Sequence, residues 1–241
     1  MAFGNDPRFI GVGAISTGGT GTYIGRGNGF GWVLTANHVI GTGETGSFYL
    51  PNLGTWSLNN TYRIPGTDVS ISRLVNFNLD IYAPTLNTSS TLATGTDFIS
   101  AGYGYNRSQS SNTYDEDSNR RGFQSKVAGF YTETNPNDLT FPGQYVVDRF
   151  DRPTDPNATA IEGFGAPGDS GSMVLTAQGI VGVLSYGDYE KYGGLNYYSR
   201  LTPAVSSAIY ARTGITPVPE PATLAALGLG ALAMLRRRKR A

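Results

Sequence analysis

Residues 32–39 (WVLTANHV) carry the only histidine of the chain, His38, directly after an apolar run that is typical of a β-strand. Far along the chain, residues 168–172 (GDSGS) flank Ser170 with glycines. A serine hydroxyl becomes an effective nucleophile when an imidazole accepts its proton and a carboxylate fixes the tautomer of that imidazole. Glycines near the serine permit a sharp turn whose N–H groups can bind an oxyanion. The two segments therefore predict nucleophilic catalysis at Ser170 with His38 as the base.

The order of these two segments narrows the choice among serine hydrolases. An α/β-hydrolase has its histidine after its serine, whereas here the histidine comes first. A subtilisin-type order needs an aspartate before the histidine, and only Asp6, close to the N-terminus, precedes His38. The order histidine, aspartate, serine is the one that remains.

The rest of the sequence favours an all-β body. Its 241 residues include 33 glycines and 15 tyrosines, and short apolar runs recur between Gly, Pro or Asn residues. The runs predict strands over residues 9–15, 32–36, 69–74, 98–103, 126–131, 173–175, 180–186 and 196–201. Only residues 203–212 (PAVSSAIYAR) predict a helix in the body, with Gly214 just beyond its end. Residues 105–122, 134–138 and 152–159 predict loops.

Composition excludes several function classes. The chain has no cysteine, which rules out a disulfide framework, a thiolate zinc site and a cysteine nucleophile, and one histidine cannot form a multi-histidine metal site. Five of the 18 basic residues lie in the last six positions. Residues 1–216 therefore have 13 basic and 17 acidic residues, a net charge of −4. A mildly acidic body is unsuited to nucleic acid. We expect neither a metal nor another cofactor.

Further segments resemble those of the chymotrypsin/trypsin-like serine proteases, in their cysteine-free bacterial form. They are residues 19–25 (GTGTYIG), 101–104 (AGYG), 179–187 (GIVGVLSYG) and 197–201 (YYSRL), in addition to the two segments around His38 and Ser170. The likeness covers roughly residues 9–214. It implies an all-β fold of two antiparallel six-stranded β-barrels with a C-terminal helix, in a protease domain that spans residues 1–216.

The same resemblance implies roles for the residues around the serine. His38 is the general base, Ser170 is the nucleophile, and the backbone N–H groups of Gly168 and Ser170 form the oxyanion hole. The sequence departs from the family pattern at Asn37, where the family usually has Ala, and at Ser172, where it usually has Gly. Both side chains are small enough that we expect activity to survive.

The carboxylate partner of His38 has two candidates. Residues 68–74 (DVSISRL) resemble the family strand that carries this acid, whereas residues 80–86 (DIYAPTL) resemble it only loosely. Pro84 would interrupt a central strand, which counts against Asp80. Asp80 lies at the more usual distance from His38, whereas Asp68 leaves the usual distance to the turn at 101–104. We favour Asp68 and keep Asp80 as the alternative.

Substrate recognition is implied at two places. The strand at 179–187 is expected to contact the substrate through three residues at its end: Ser185, Tyr186 and Gly187. In the resembling family the floor of the main specificity pocket lies six residues before the nucleophile, which is Phe164 here. An aromatic floor predicts a small or medium apolar side chain in the substrate. If the alignment shifts by two residues, Glu162 becomes the floor and basic side chains are preferred, with Asp188 as a second acidic candidate.

The C-terminal segment, residues 217–241, has a different composition. It contains VPEP at 218–221, an apolar run over 222–235 and a basic cluster at 236–240. As a helix the apolar run would be about 21 Å long, which is short for a stable membrane span. The arrangement resembles the PEP-CTERM sorting signal of Gram-negative bacteria. It implies export, transient anchoring in the inner membrane by a short membrane-spanning helix, and cleavage by an exosortase.

Export predicts a signal peptide at the N-terminus, which the first residues of this sequence do not resemble. Residues 1–8 (MAFGNDPR) have neither the basic start nor the apolar core of a signal peptide. Either translation starts upstream or the sequence is that of a processed form.

Three functions are compatible with the sequence. The first is an exported serine endopeptidase that acts on protein or peptide substrates through an acyl-enzyme, at the cell envelope or in the extracellular matrix. The second is a catalytically inactive barrel that serves as a surface binding module, and the third is a structural matrix protein. The intact serine and histidine favour the first, because neither of the others needs them.

Overall fold

Two closed antiparallel β-barrels of six strands each make up the described part of the chain, followed by an α-helix. The structure is a computed structural model, and it describes residues 3–87, 89–105, 119–134, 143–188 and 191–215. This architecture confirms the fold class that the sequence predicted, over the described residues. The short membrane-spanning helix predicted within 217–241 lies outside them. Among the described residues, no helix is long and apolar enough to cross a membrane.

The first barrel is formed by the N-terminal half of the chain. Its strands are β1 (Val12–Ile15), β2 (Gly19–Gly27), β3 (Phe30–Thr35), β4 (Gly46–Leu50), β5 (Gly54–Ile64) and β6 (Val69–Leu74). They are arranged in the order β1-β2-β3-β6-β5-β4, and the pairing of β1 with β4 closes the barrel. The pairing of β3 with β6 sets Thr35 opposite Ser70, so the end of β3 lies beside the start of β6.

The second barrel repeats this arrangement. Its strands are β7 (Asp97–Gly102), β8 (Arg121–Glu133), β9 (Gly143–Arg149), β10 (Met173–Thr176), β11 (Gly179–Gly187) and β12 (Leu195–Arg200). They are arranged in the order β10-β11-β12-β9-β8-β7, and β10 pairs with β7 to close the barrel. Helix α1 (Pro203–Thr213) follows β12. Thr202 caps its N-terminus by accepting a hydrogen bond from the N–H of Val205, and Gly214 ends it with φ of 70°.

Three apolar clusters hold the barrels together. One fills the first barrel around Phe48, and another fills the second barrel around Tyr198. The third cluster joins the barrels and α1, and includes buried Leu34, Met173 and Ile209. Because this last cluster fixes the two barrels against each other, residues at the ends of β3, β6 and β11 can form one site between them.

Most predicted elements match the observed ones, and the differences have physical reasons. Four strands were not predicted from the apolar runs, namely β2, β4, β5 and β9, although residues 19–25 of β2 were matched by the family resemblance. Strand β5 (GTWSLNNTYRI) is rich in polar, partly exposed residues, so its hydrophobic pattern is weak. The predicted loop at 105–122 ends too late, since Arg121 and Gly122 already pair with β7, while residues 106–118 lie outside the described chain. The loop at 152–159 is confirmed as a series of turns, and residues 135–138 lie outside the described chain.

One carboxyl group is buried in the second barrel without a full set of partners. Asp148 on β9 is completely buried, and its Oδ1 has no hydrogen-bond partner. Its Oδ2 accepts a long hydrogen bond of 3.4 Å from the hydroxyl of Tyr198. Burial raises the pKa of Asp148 to about 7, an effect that the neighbouring polar groups of Asn196 and Ser125 oppose and that the nearby carboxylate of Glu162 adds to.

Replacement of Asp148 by asparagine should therefore change how stability depends on pH. Between pH 3.8 and about 7 the native carboxyl keeps a proton that the unfolded chain has lost, so its contribution to stability falls as pH rises. Relative to the parent, we expect the unfolding free energy of Asp148→Asn to rise by more than about 1 kcal/mol across this window. Urea unfolding at several pH values measures the difference.

Asp97→Asn provides the control, because the Asp97 side chain is 81% exposed. This variant should show no such pH-dependent gain. A difference between Asp148→Asn and the parent that stays constant from pH 4 to 7 would contradict the prediction.

Candidate active site

His38 and Asp68 meet at the rim of the first barrel. His38 follows the end of β3 and Asp68 directly precedes β6, and these two strands are paired neighbours. The Nδ1 atom of His38 lies 2.8 Å from Oδ2 of Asp68, and the backbone N–H of His38 donates to Oδ1 at 3.1 Å. The imidazole is 27% exposed, whereas the carboxylate is fully buried. Two contacts to one carboxylate thus fix both the backbone and the ring of His38.

The second barrel also supports Asp68. The hydroxyl of Ser185, on β11, donates a 2.6 Å hydrogen bond to Oδ2 of Asp68. The backbone N–H of Asp68 in turn donates to Oγ of Ser199, on β12. A buried carboxylate is costly unless hydrogen-bond donors surround it, and here donors come from both barrels. The site therefore depends on the correct docking of the two barrels.

Ser170 lies on the connection that leads into β10. The backbone N–H of Thr20 donates to the carbonyl of Ser170 at 2.8 Å, and the N–H of Gly171 donates to the carbonyl of Leu184 at 2.8 Å. Gly171 has φ of 87°, and a Cβ there would overlap the carbonyl of Thr20. Only glycine fits this close approach. These contacts hold Ser170 between the start of β2 and the strand β11.

The peptide groups around Ser170 are anchored by their carbonyls. The carbonyl of Pro167 accepts from the N–H of Tyr105 at 2.9 Å, and that of Asp169 accepts from the N–H of Ser172 at 2.8 Å. In a trans peptide the N–H points opposite to the C=O, and no peptide bond here is cis. The N–H groups of Gly168 and Ser170 are therefore turned away from these anchors.

The carboxylate of Asp169 ties the same loop to the turn after β7. It accepts hydrogen bonds from the N–H of Gly104 at 2.7 Å and from the N–H of Ala166 at 2.9 Å. A Cβ at Gly102 or Gly104 would overlap this carboxylate. The close approach explains why the segment AGYG needs its two glycines.

Thr20 is the residue of this site that the sequence analysis missed. Its buried hydroxyl donates to the carbonyl of Gly168 at 2.9 Å and accepts from the N–H of Tyr103 at 3.0 Å. Its backbone N–H binds Ser170, and its carbonyl accepts from the hydroxyl of Thr35 at 2.7 Å. One residue thus links the first barrel to the loop of Ser170. A threonine at the start of a strand gives no sequence signal of such a role.

The other candidate acid for His38 has different surroundings. Asp80 is exposed and lies in a segment without regular structure, whereas Asp68 makes the hydrogen bond to His38. Asn37, one of the two departures from the family pattern, accepts a hydrogen bond from the hydroxyl of Ser70 at 3.2 Å. Within the described ranges, no group of three or more His, Asp or Glu side chains could hold a metal ion.

The candidate residues of the specificity pocket differ in their surroundings. Phe164 is partly buried, and a Cβ on Gly187 would lie 2.8 Å from its ring, so the ring fills the space beside β11. The carboxylate of Glu162 accepts from the N–H and the hydroxyl of Thr159, at 2.8 and 2.7 Å. That of Asp188 accepts from the N–H of Leu195 at 2.7 Å. Both acids are thus engaged in local turns.

Tyr186 lies beside Gly187 at the end of β11 and belongs to a cluster of tyrosines. Its ring stacks on Tyr197 with centroids 4.5 Å apart and an interplanar angle of 10°. Tyr145 packs edge-on against Tyr186 at 5.5 Å. Burial raises the pKa of Tyr186 well above its usual value, with the neighbouring tyrosines adding to the effect. The ring is therefore a rigid, neutral surface next to the candidate pocket.

Comparison with known protein families gives two matches. A family model described as a trypsin-like peptidase domain matches residues 19–183, and one described as the PEP-CTERM protein-sorting motif matches residues 217–240. No curated protein sequence matches the chain.

Several solved structures have the same fold. Neuropsin, a serine protease expressed in the limbic system of mouse brain, has 16% identity and a TM-score of 0.62, covering 86% of this chain and 96% of its own. A mutant of human heparin binding protein (CAP37) has 17% identity and a TM-score of 0.61, covering 89% and 96%. An inactive form of Rv3671c from M. tuberculosis has 17% identity and a TM-score of 0.57, covering 89% and 94%. At such low identity these likenesses establish the fold.

The contacts of Thr20 lead to a test of the loop around Ser170. Thr20→Val keeps the shape of the side chain but leaves the carbonyl of Gly168 and the N–H of Tyr103 without their partner. A buried polar group without a partner costs about 1–3 kcal/mol, so we expect the unfolding free energy to fall by that amount. Chemical denaturation measures the loss.

Thr22→Val is the matched control. Thr22 lies on the same strand and is equally buried, but its hydroxyl has no hydrogen-bond partner. Its replacement should leave stability unchanged or slightly raised. Equal losses in the two variants would contradict the role given to Thr20.

Proposed function

This chain belongs to the trypsin-like peptidase family, and we propose that it is an exported serine endopeptidase that cleaves peptide bonds through an acyl-enzyme on Ser170. The observation that carries the proposal is the contact between His38 and buried Asp68, 2.8 Å apart at the junction of the two barrels. A surface binding module or a structural matrix protein has no need of this pair. The enzyme function is therefore favoured over both alternatives.

The proposed mechanism begins with the tautomer of His38. Nδ1 of His38 can donate a hydrogen bond to Asp68 only when it carries the proton of the neutral imidazole, and Nε2 then has no proton and can act as a base. His38 then takes the proton of Ser170 as its Oγ attacks the substrate carbonyl, and passes it to the leaving amine. Water then attacks the acyl carbon and gives a proton to the same imidazole, which returns it to Oγ of Ser170 as the ester bond breaks and the acid product leaves. Asp68 stays ionised and stabilises the imidazolium at both stages.

The N–H groups of Gly168 and Ser170 are the proposed oxyanion donors. The carbonyls of their peptide groups are held by Tyr105 and Ser172, so the donors are oriented before substrate arrives. Preorganised donors need no rearrangement at the moment when charge develops, and one of them contributes about 3 kcal/mol to transition-state stabilisation. Asp169 supports this orientation through its bonds to Gly104 and Ala166.

The acyl part of the substrate is proposed to lie along the end of β11. Ser185, Tyr186 and Gly187 would contact its backbone, and Phe164 would form the floor of the main pocket. An aromatic floor offers no charge to compensate the burial of a cation, and its ring reduces the depth of the pocket. Glu162 and Asp188 are both engaged in local turns, which favours Phe164 over either acid.

The C-terminal motif supports export of this protease to the cell envelope. The PEP-CTERM match over residues 217–240 implies processing by an exosortase. We propose that residues 1–216 form the protease domain and that residues 217–241 anchor it transiently in the inner membrane until they are removed. The acidic body then acts on protein or peptide substrates outside the cytoplasm.

Substitutions in the proposed triad test the mechanism directly. Ser170→Ala and His38→Ala should each lower kcat for an activated ester by about 10⁶, and the double variant should lose little more because the two residues act together. Asp68→Asn should lower kcat by about 10⁴, since the amide favours the wrong tautomer of His38. Steady-state kinetics on the folded variants measures these losses.

Asp80→Asn is the control for the acid, because Asp80 is exposed and was the alternative partner for His38. It should keep the activity of the parent. The assignment is wrong if Asp80→Asn shows the loss and Asp68→Asn does not, and unaltered turnover in Ser170→Ala would end the protease proposal.

The assignment of Phe164 to the pocket floor predicts which residue precedes the cleaved bond. Cleavage of a mixed peptide library should occur mainly after small or medium apolar residues, and Phe164→Ala should extend this preference to larger ones. Mass spectrometry of the products identifies the residue before each cleaved bond. A dominant preference for Arg or Lys in the parent would overturn the assignment of Phe164 and point to Glu162 or Asp188.

A further inference from the structure

We propose that a cleft on the leaving-group side of Ser170 selects substrates with an aromatic or large aliphatic side chain among the first two residues after the cleaved bond. This inference rests on the proposed function, because it concerns the same site and the other half of its substrate.

The cleft lies between the two barrels and has a volume of about 520 Å³. It is bounded by β1, the turn between β1 and β2, β4, the turn after β7 and the loop before Ser170. Its lining includes Ile15, Gly18, Tyr49, Tyr103, Tyr105 and Gly168. Gly168 is one of the proposed oxyanion donors, so the cleft adjoins the proposed oxyanion hole. The space is large enough for one or two side chains.

The position of this cleft indicates that it binds the part of the substrate beyond the cleaved bond. Ser170 is held on one side by β11, through the bond from Gly171 to Leu184, and on the other side by Thr20 at the start of β2. The acyl part of the substrate is proposed to follow β11. The chain beyond the cleaved bond must then leave over the turn between β1 and β2, where the cleft is.

Tyrosine rings decide the chemistry of the cleft. Tyr49 and Tyr105 are 44% and 37% exposed, so their rings are available to a ligand, and Tyr103 forms part of the wall. None of the described lining residues carries a charge. Aromatic rings pair favourably with other rings and with aliphatic groups. An ammonium group would lose water here without gaining a partner of opposite charge. A carboxylate would find no charged side chain in the described lining, because the guanidinium of Arg120 lies behind it and already donates to three carbonyls.

Arg120 adds to the discrimination against cations. Its guanidinium acts electrostatically on the hydroxyl of Tyr103, and it donates hydrogen bonds to the carbonyls of Gly4, Phe9 and Val12. A fixed positive charge behind the wall repels a lysine or arginine side chain. Burial raises the pKa of Tyr103 to about 12, so this ring stays neutral at ordinary pH.

Capture of the acyl-enzyme by added amines tests the proposal without involving the main pocket. The full chain, in a mild detergent, is acylated with a p-nitrophenyl ester of an acylated alanine. Dipeptide amides are then offered as competitors of water. Phe-Ala amide or Ala-Phe amide should capture the acyl group roughly three- to tenfold better than Ala-Ala amide, and Ala-Asp and Ala-Lys amides should be no better than Ala-Ala amide. Chromatography of the products gives the ratio of aminolysis to hydrolysis.

Variants of Tyr49 locate the effect in the cleft. Tyr49→Ala should lower the advantage of the Phe-containing amides by about threefold, whereas Tyr49→Phe should retain it. Tyr82→Ala is the matched control, because Tyr82 is 50% exposed and lines a separate groove with Arg8 and Asp97. It should leave the capture ratio at the parent value.

The outcomes separate this proposal from the one it depends on. Ester turnover with equal capture of all amides, or a preference for Ala-Asp or Ala-Lys amide, overturns the selectivity proposed here and leaves the protease function intact. An advantage of Phe-containing amides that Tyr49→Ala does not reduce also overturns it. If the parent protein does not turn over the ester at all, the proposed function fails, and this proposal fails with it.

Discussion

The candidate site depends on the hydrogen bonds that the buried carboxylate of Asp68 accepts. This carboxylate lies at the junction of the two barrels, where it contacts the backbone and ring of His38 from one barrel and the hydroxyl of Ser185 from the other. Loss of any donor would leave a buried charge without full compensation, which is strongly destabilising. The carboxylate therefore couples the docking of the barrels to the orientation of the imidazole. The same contacts stabilise the fold and orient the residues of the candidate site.

A second set of contacts, made by small residues, holds the loop of Ser170 in place. Thr20 connects the loop to the first barrel through its hydroxyl and its backbone, and Asp169 connects it to the turn after β7. Gly171 allows the approach of Thr20, just as Gly102 and Gly104 allow that of Asp169. In a chain without cysteine, hydrogen bonds to buried hydroxyls and close backbone contacts provide this rigidity.

The apolar runs predicted an all-β body and eight of its twelve strands, because these depend on short-range patterns, whereas the two-barrel fold and the pairing of His38 with Asp68 were implied by the family resemblance. The choice of Asp68 over Asp80 rested on the strand pattern after Asp68 and on Pro84, and Asp68 is the residue hydrogen-bonded to His38. The catalytic roles of His38 and Asp68 stay predictions. Thr20 could not be found this way, since its partners Gly168 and Tyr103 are distant in sequence. The cleft lined by Tyr49, Tyr103 and Tyr105 likewise joins four separate stretches of the chain, and β5 lacks the alternation that marks a strand.

Labelling with a fluorophosphonate tests the central claim most directly, because only a serine activated by a neighbouring base reacts readily with this reagent. Intact-mass analysis followed by peptide mapping gives the number and position of the adducts. The account predicts a single adduct on Ser170, none on Ser170→Ala, and much slower labelling of Asp68→Asn. A folded parent protein that takes up no label, or takes it up at another serine, would contradict the account.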